Sequence, residues 1–282
     1  MRALETKTRE QDGNVAIGSL YACVRSPTSA ARIEAELNCS RSDLVTIVQG
    51  DNGPAIEAAD VVVLTCRPHD VSSCLGSDHV RKAMEGKVLV SGVAGVSISD
   101  LRRILEGDAN GNLSSRDSPS NQTRVIRVMA NLAAITQQSI TVATMEGVPD
   151  DLDQARKIIE WVFAQVGTLR WVAPAQFDAC VTLCSSGPAF MATYLEALVD
   201  GALAQGISRQ QAVEMAALMA QGTASLILMG QSTADIRNSV TTPGGSTIQG
   251  IIEMEERGVR PMGIHTIGRA TNRLTELASK QE

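Results

Sequence analysis

The first 173 residues alternate short apolar runs with segments whose apolar positions recur every three or four residues. The apolar runs predict strands at residues 19–24, 44–48, 59–66, 87–93, 124–128 and 140–144. Helical spacing falls between them, at residues 29–37, 78–84 and in the segment that Ser97 or Ser99 would cap. This alternation is typical of a parallel sheet with crossover helices. The run 59–66 is almost wholly apolar, so we expect it in mid-sheet with both faces covered.

The second part of the chain, from residue 174 onward, has a helical period throughout. Gly187 and Pro188 open a segment that is apolar on most sides, and Ser208 with Gln211 forms a capping box for a helix that ends near Gly230. These helices present more apolar surface than one such domain can cover, which predicts a dimer. The predicted fold is therefore α/β, with a Rossmann-like dinucleotide-binding domain at residues 1–173 and an all-α dimerisation domain at 174–282.

Composition favours small-molecule chemistry. The chain of 282 residues has a formal charge of −6 and only two Trp, two Tyr and three Phe, which argues against binding of nucleic acid. No apolar run reaches the roughly 18 residues of a membrane helix. Residues 1–14 are polar and lack the apolar centre of a secretory signal, so we expect a cytoplasmic protein.

Cysteine and histidine do not form a metal-binding pattern. Without a secretory signal, the six cysteines indicate reduced thiols rather than a disulfide framework. The three histidines, at positions 69, 79 and 265, have no ligand spacing to them. We therefore expect no metal site.

Two parts of the first domain have no recognisable strand or helix. A dinucleotide-binding fold ordinarily opens with a strand that leads into Gly-x-Gly-x-x-Gly, yet residues 1–18 are charged and polar with isolated glycines. We therefore expect the central strand and phosphate loop to be missing and the domain to be incomplete. Residues 107–123 are rich in Ser, Asn, Asp and Gly and predict a polar surface insertion.

Arg25 and Ser26 follow the first predicted strand, at the position where a dinucleotide-binding fold usually places the ribose-binding acid. A guanidinium and a hydroxyl there favour the 2′-phosphate of NADP. The alternative is that Ser26 or Thr28 caps the next helix while Arg25 is solvated.

The segment Val240–Ile248 lies between two helical patterns and contains Pro243-Gly244-Gly245. This tripeptide predicts a tight turn, after which Ser246 or Thr247 would cap a new helix. The first amides of that helix, with the nearby hydroxyls, suit a small carboxylate. A purely structural turn with capping hydroxyls remains the alternative.

Several motifs in this half of the chain resemble one family. They are Phe177-Asp178-Ala179, Ser186-Gly187-Pro188-Ala189-Phe190, Leu195-Glu196-Ala197-Leu198-Val199-Asp200-Gly201, the turn Val240–Ile248, and Glu255-Glu256-Arg257-Gly258-Val259-Arg260. Together they resemble pyrroline-5-carboxylate reductase over residues 174–279. The resemblance implies reduction of 1-pyrroline-5-carboxylate to L-proline by NADPH, with NADH as a possible substitute, in a homodimer or larger homo-oligomer.

The resemblance also implies site residues. The substrate would be bound by Val240, Thr242, Gly244, Gly245, Ser246 and Thr247, with the Thr247 hydroxyl near the ring nitrogen as the catalytic group. The cofactor would be bound by Arg25, Ser26, Cys66, Arg67, Pro68, Ala94, Gly95 and Asn131. The segment around Asn131 departs from the family pattern, because Ala130 and Leu132 stand where proline and threonine are usual.

Two other functions stay open. One is reduction of a substituted pyrroline carboxylate in specialised metabolism, which Ala130 and Leu132 would mark. The other is a non-catalytic homologue that only oligomerises, which the absent glycine loop would mark. A hydroxy-acid dehydrogenase with a similar two-domain plan is a weaker alternative. Those enzymes use a lysine at the hydride site on the long helix, and no lysine lies between Arg170 and Lys280.

Overall fold

The computed structural model describes residues 18–37, 44–107, 123–146 and 153–279. Its strands are β1 (Leu20–Val24), β2 (Val45–Gln49), β3 (Val61–Leu64), β4 (Val88–Ser91), β5 (Arg124–Met129), β6 (Ser139–Met145) and β7 (Gly167–Trp171). The helices of the first part are α1 (Pro27–Leu37), α2 (Gly53–Ala58), α3 (Val71–Leu75), α4 (Asp78–Met84), α5 (Ile98–Glu106), α6 (Asp153–Ala164) and α7 (Phe177–Val181). They are followed by α8 (Gly187–Ala204), α9 (Arg209–Leu228), α10 (Thr233–Ser239), α11 (Ser246–Glu256) and α12 (Val259–Ser279).

The described strands form two sheets. β1 and β2 make a parallel pair, and the other five are ordered β3-β4-β5-β6-β7, with only the β5–β6 pair antiparallel. The six strands predicted from apolar runs are confirmed. β7 and α6 were not predicted. For β7 the reason is that its sequence, Gly-Thr-Leu-Arg-Trp, alternates half-buried and exposed residues and has no apolar run.

The position of β3 differs from the expectation. Within the part of the chain that the structure describes, β3 is an edge strand of its sheet, and Val63 is 52% exposed although its run was expected in mid-sheet. An edge strand leaves one row of backbone groups without a strand neighbour, so only part of its surface is covered. The expected absence of a first strand and glycine loop concerns residues 1–18, of which 1–17 lie outside the described residues, as does most of the expected insertion at 107–123.

The five-stranded sheet is covered on both faces, as a crossover fold requires. Successive residues of β4 point to opposite sides: Leu89 packs in one core with α2 to α5, whereas Val88 and Val90 pack in another with α6. Ser97 begins α5 with a capping box to Asp100, which confirms one of the two expected caps. Because alternate side chains of β4 fill a core on each face, the sheet is packed from both sides, and this packing fixes the carboxyl ends of β3, β4 and β5.

The chain divides into two compact units, Met1–Ser185 with Arg273–Glu282, and Ser186–Asn272. The boundary expected from the sequence lies at residues 173 and 174, before α7, which by its contacts belongs to the first unit. The reason is local: Phe177 and Val181 of α7 are buried against β6 residue Val142.

The second unit is helical, and its own core is very small. Ser208 caps α9, because its hydroxyl accepts a hydrogen bond from the amide of Gln211, and Gly230 follows α9 with a φ of 97°, so the cap and the terminal glycine are confirmed. The predicted capping box is incomplete, because the Gln211 side chain accepts from the Ser208 hydroxyl at 2.8 Å rather than from the Ser208 amide. Within Ser186–Asn272 the only buried hydrophobic residues are Val199 and Ala212. Although α8 is apolar on most sides, it is not buried all round within one chain, because Met191 is 53% exposed. No helix among the described residues is both long and apolar enough to cross a membrane.

Candidate functional site

The first candidate site lies at the carboxyl ends of three neighbouring strands. β3, β4 and β5 are parallel and in register, so their last residues share one edge of the sheet. The amide of Gly92 donates to the carbonyl of Leu64 at 2.8 Å and ties the ends of β3 and β4 together. This edge gathers most of the predicted cofactor residues: Cys66, Arg67, Pro68, Ala94, Gly95 and Asn131. Such an edge is where ligands bind in open α/β sheets.

Gly95 and Ala94 differ in accessibility. Gly95 has a φ of 72°, which favours glycine, and it is buried. A Cβ placed on it would lie 3.9 Å from the backbone nitrogen of Ala278, near the end of α12. Ala94 is exposed. The turn can therefore offer its surface to a ligand at Ala94 more readily than at Gly95.

Arg25 and Ser26 stand at the end of β1. The Ser26 hydroxyl accepts a hydrogen bond from the amide of Ser29 at 3.2 Å, so it caps the start of α1. Arg25 is 89% exposed, and its Nη1 donates to Asp70 Oδ1 at 3.1 Å, just after β3. The Arg25 guanidinium therefore has one partner and remains open to a further anion.

The Cys66 thiol is hydrogen-bonded to a second free thiol, that of Cys74 in α3. Burial, followed by the charge and hydrogen bond of Cys74, raises the pKa of the Cys66 thiol to about 12. Both side chains pack against the core beside α3, and the five described cysteines are free. Cys66 therefore stays protonated and lines the carboxyl end of the sheet, and it is not a nucleophile.

The turn after β5 is held by the side chain of Asn131. Its Oδ1 accepts a hydrogen bond from the Ala133 amide at 3.1 Å, and its Nδ2 donates to the carbonyl of Cys184 at 2.9 Å. Leu132, the residue that departs from the family pattern, is 74% exposed. The Asn131 amide thus holds the shape of this turn from both ends.

Two features near this turn were missed from the sequence. Residues Thr182–Ser186 form a π-helix, whose wider turn frees carbonyl groups for other donors. Arg127 of β5 lies beside Asp178, with Nη2 to Oδ1 at 3.5 Å, and its guanidinium covers the Phe177 ring. The sequence gives separate signals for the two residues: Arg127 is a charged residue in a largely apolar strand, and Asp178 belongs to the motif Phe177-Asp178-Ala179.

The second candidate site is the turn between α10 and α11. Gly244 has a φ of 71°, and the amide of Gly245 donates to the carbonyl of Thr242 at 3.0 Å, which closes the turn. The predicted turn is confirmed, but the predicted cap is wrong. Gly245 is the N-cap residue of α11, no side chain caps this helix, and Ser246 and Thr247 lie in its first turn.

This geometry changes the donors that the site can offer. The amide of Gly245 is used within the turn, whereas the first three amides of α11 have no acceptor within their helix. Those amides belong to Ser246, Thr247 and Ile248, and the side chains of Ser246 and Thr247 are exposed. The start of α11 therefore presents backbone donors and two hydroxyls, with the positive end of the helix dipole behind them. Val240 and Thr242 are also exposed beside it.

No group of three or more His, Cys, Asp or Glu side chains within the described ranges is placed to hold a metal ion.

Comparison with known proteins gives consistent matches over both units. Residues 174–277 match the domain family described as pyrroline-5-carboxylate reductase dimerisation, and residues 3–95 match that of coenzyme F420-dependent NADP oxidoreductases. The chain is 38% identical to a pyrroline-5-carboxylate reductase of Lophium arboricola over 259 residues, covering 92% of this chain and 78% of that protein. It is 36% identical to the enzyme of that name from Neurospora crassa, covering 92% and 79%.

The fold is also shared with a solved structure. The crystal structure of pyrroline carboxylate reductase from Plasmodium falciparum with NADP bound has a TM-score of 0.75 to this chain. It is 15% identical and covers 98% of this chain and 94% of its own. This similarity confirms the α/β fold with a helical second part. Because two relatives are well over 30% identical along most of their length, the chain belongs to the pyrroline-5-carboxylate reductase family.

Proposed function

We propose that this protein reduces 1-pyrroline-5-carboxylate to L-proline with NADPH. The observation that carries the proposal is the start of α11, where a Pro-Gly-Gly turn leaves a helix N-terminus without a side-chain cap and with exposed hydroxyls. An N-terminus of this kind binds small anions, and the proposed substrate is a ring with one carboxylate. Family membership supplies the remaining support.

The amides of Ser246, Thr247 and Ile248 would hold the substrate carboxylate. Gly244 and Gly245 keep the approach to these amides open, since neither has a Cβ, and exposed Val240 and Thr242 shape its sides. The Thr247 hydroxyl would accept a hydrogen bond from the protonated ring nitrogen. Holding the carboxylate and the nitrogen together fixes the orientation of the ring, which is the main contribution a binding site makes to a transfer reaction.

The edge formed by β3, β4 and β5 would hold the cofactor. Backbone at Cys66, Arg67, Pro68 and Ala94 lies along it, and this set of uncharged groups suits a nicotinamide ribose, with Gly95 supporting the turn. When bound, NADPH supplies the hydride that reduces the imine carbon. Arg25, exposed and with a single carboxylate partner, would take the 2′-phosphate, which supports NADPH over NADH.

No side-chain acid or base is needed in the turn. Residues 240–248 contain no His, Asp or Glu. We expect the cyclic imine to bind as the protonated iminium, so addition of hydride at carbon leaves the neutral amine and needs no further proton donor. The protein then has to orient the ring and exclude water rather than transfer a proton.

The functional unit is proposed to be a homodimer or a larger homo-oligomer. In the helical unit only Val199 and Ala212 are buried, whereas many large apolar side chains are exposed. They include Met191, Val213, Met215, Leu218, Met219, Met262 and Ile264. Exposed apolar surface on this scale marks a protein interface. A cytoplasmic location stays a prediction.

The test is NADPH oxidation by the purified chain in the presence of 1-pyrroline-5-carboxylate, together with NADPH binding by fluorescence. T247V should lower kcat/KM for the substrate by about 10- to 100-fold, because a hydrogen bond to a charged group is lost. T233V is the matched control, since Thr233 also lies exposed in the first turn of a helix, α10, and should leave kcat/KM unchanged. Binding of NADPH without any oxidation, or no binding at all, would reject the reductase and favour the non-catalytic homologue.

A substituted pyrroline carboxylate is the second candidate substrate. Leu132 supports it, because a leucine that is 74% exposed beside Asn131 offers an apolar contact for a ring substituent. Competition between 1-pyrroline-5-carboxylate and a methylated analogue decides between them. L132T should shift the preference toward the unsubstituted ring if this candidate is correct.

A further inference from the structure

Arg127 places a charge in an unusually apolar position. Its side chain is 12% exposed, and its guanidinium lies 4.3 Å from the centre of the ring of Phe177, which is 1% exposed. Burial lowers the pKa of Arg127, and the nearby carboxylate of Asp178 only partly opposes this effect. The Nε of Arg127 is buried without a hydrogen-bond acceptor in the described structure. The sheet therefore carries a charge that is costly to keep there.

Stability does not account for this arrangement. The contact with Asp178 is a single one at 3.5 Å, not the bidentate pair that gives strong arginine–carboxylate binding. A buried ion pair is often matched or exceeded in stability by apolar side chains of similar volume. A methionine at position 127 would fill the same space, and the Asp178 carboxylate, whose side chain is 29% exposed, would then be hydrated. The reason for a charge at position 127 is therefore sought in the segments that the Arg127–Asp178 pair connects.

The Arg127–Asp178 pair joins two segments that meet again a few residues later. β5 continues from Arg127 to the turn at Ala130 and Asn131, and α7 continues from Asp178 to the π-helix. There the Asn131 amide donates to the Cys184 carbonyl at 2.9 Å, and the Ser185 hydroxyl lies 3.5 Å from the Ala130 carbonyl. The two segments are thus held at both ends, by the charged pair and by the Asn131 turn.

We propose that Arg127, together with Asp178, is a positioning residue for hydride transfer. The pair holds β5 against α7 and so fixes the Asn131 turn, which lies at the carboxyl ends of β3, β4 and β5 where the cofactor is proposed to bind. This inference rests on the proposed function. Arg127 itself does not touch the cofactor or the substrate; it acts through the turn. A misplacement of about 1 Å in such a turn is enough to slow a transfer step by about 100-fold.

The test compares R127M with R127K and with R156M. Arg156 is the matched control, because it also pairs with a carboxylate, Glu160, and covers an aromatic ring, Trp171, but on α6 and β7. For each variant, kcat, KM for NADPH, the isotope effect with NADPH deuterated at the transferred position, and thermal unfolding are measured. Hydrogen exchange is followed in peptides covering residues 130–136 and 182–186.

R127M should lower kcat by about 10- to 100-fold per folded molecule, with KM for NADPH changed by less than about threefold. The isotope effect should rise as hydride transfer becomes slower than product release. Exchange should become faster in both peptides, while the unfolding temperature stays near that of the wild type. R127K should recover part of kcat, because the ammonium keeps the pair with Asp178 but loses the flat contact with the ring. R156M should match the wild type in every measurement.

Wild-type kcat in R127M, or unchanged exchange at residues 130–136, would overturn the inference. A fall in activity that only follows the loss of folded protein would overturn it as well. Failure of the proposed function has a different signature, since the wild type would then not oxidise NADPH with 1-pyrroline-5-carboxylate. In that case a role in hydride transfer falls with it, and exchange at residues 130–136 still decides whether Arg127 fixes the turn.

Discussion

The start of α11 makes the proposed carboxylate site directly testable through Gly245. An ideal Cβ added there would lie 2.5 Å from Thr242 Oγ1 and 3.2 Å from the Thr242 carbonyl oxygen. The Thr242 hydroxyl is the end of an exposed side chain and can rotate away, at a cost of about 0.5–1.5 kcal/mol. G245A should therefore fold, with stability reduced by about 1 kcal/mol.

The catalytic effect of G245A should be larger than its effect on stability. The new methyl group and the displaced Thr242 side chain occupy the approach to the amides of Ser246 and Thr247. Loss of one hydrogen bond to a carboxylate costs about 1.5–3 kcal/mol, which corresponds to about 10- to 150-fold in kcat/KM for 1-pyrroline-5-carboxylate. KM for NADPH should not change, because Gly245 is not among the proposed cofactor residues.

G250A is the matched control in the same helix. A Cβ at Gly250 meets no atom within 4 Å, and the residue is exposed in the interior of α11. Alanine should therefore raise stability by about 0.5–1 kcal/mol and leave kcat/KM unchanged. Light scattering checks that both variants keep the oligomeric state of the wild type. A folded G245A protein with wild-type kcat/KM would refute the assignment of the carboxylate to this helix N-terminus.

Three further outcomes are expected. R25A should raise KM for NADPH by about tenfold and leave KM for NADH unchanged, while D70N, which breaks an exposed ion pair, should not alter the unfolding temperature. Cys66 should react with iodoacetamide at pH 8.5 about a thousandfold more slowly in the folded protein than in urea, because its pKa of about 12 exceeds the unfolded value of about 8.5. The stability that burial of the protonated Cys66 thiol provides is complete below pH 8.5 and is lost as pH rises toward 12. Equal labelling rates in the folded protein and in urea would contradict the raised pKa. L218K should dissociate the oligomer and reduce helix content by circular dichroism, since Leu218 is 60% exposed in a unit with almost no core, whereas E214K should do neither.

Much of the fold follows from features that are local in sequence. The apolar run that became β4 needed no knowledge of the rest of the chain, because a strand buried on both faces is apolar at nearly every position. The run of β3 was equally apolar, but its place at the edge of the sheet could not be read from it. The cap at Ser208 and the glycine after α9 are likewise read within a few residues. Prediction failed where the pattern was weak, as in β7, whose residues alternate between half-buried and exposed.

The candidate sites show the same limit more sharply. The turn at Pro243–Gly245 was predictable, because Gly244 adopts a left-handed conformation that glycine makes easily. Its cap was not, since whether Gly245 or a hydroxyl takes that place depends on how the turn closes onto Thr242. The Arg127–Asp178 pair lies further still from local rules: its members are 51 residues apart, and no pattern in either segment indicates that the two residues pair. A contact of that kind arises only when β5 and α7 are folded against each other, so its meaning has to be taken from the structure and tested there.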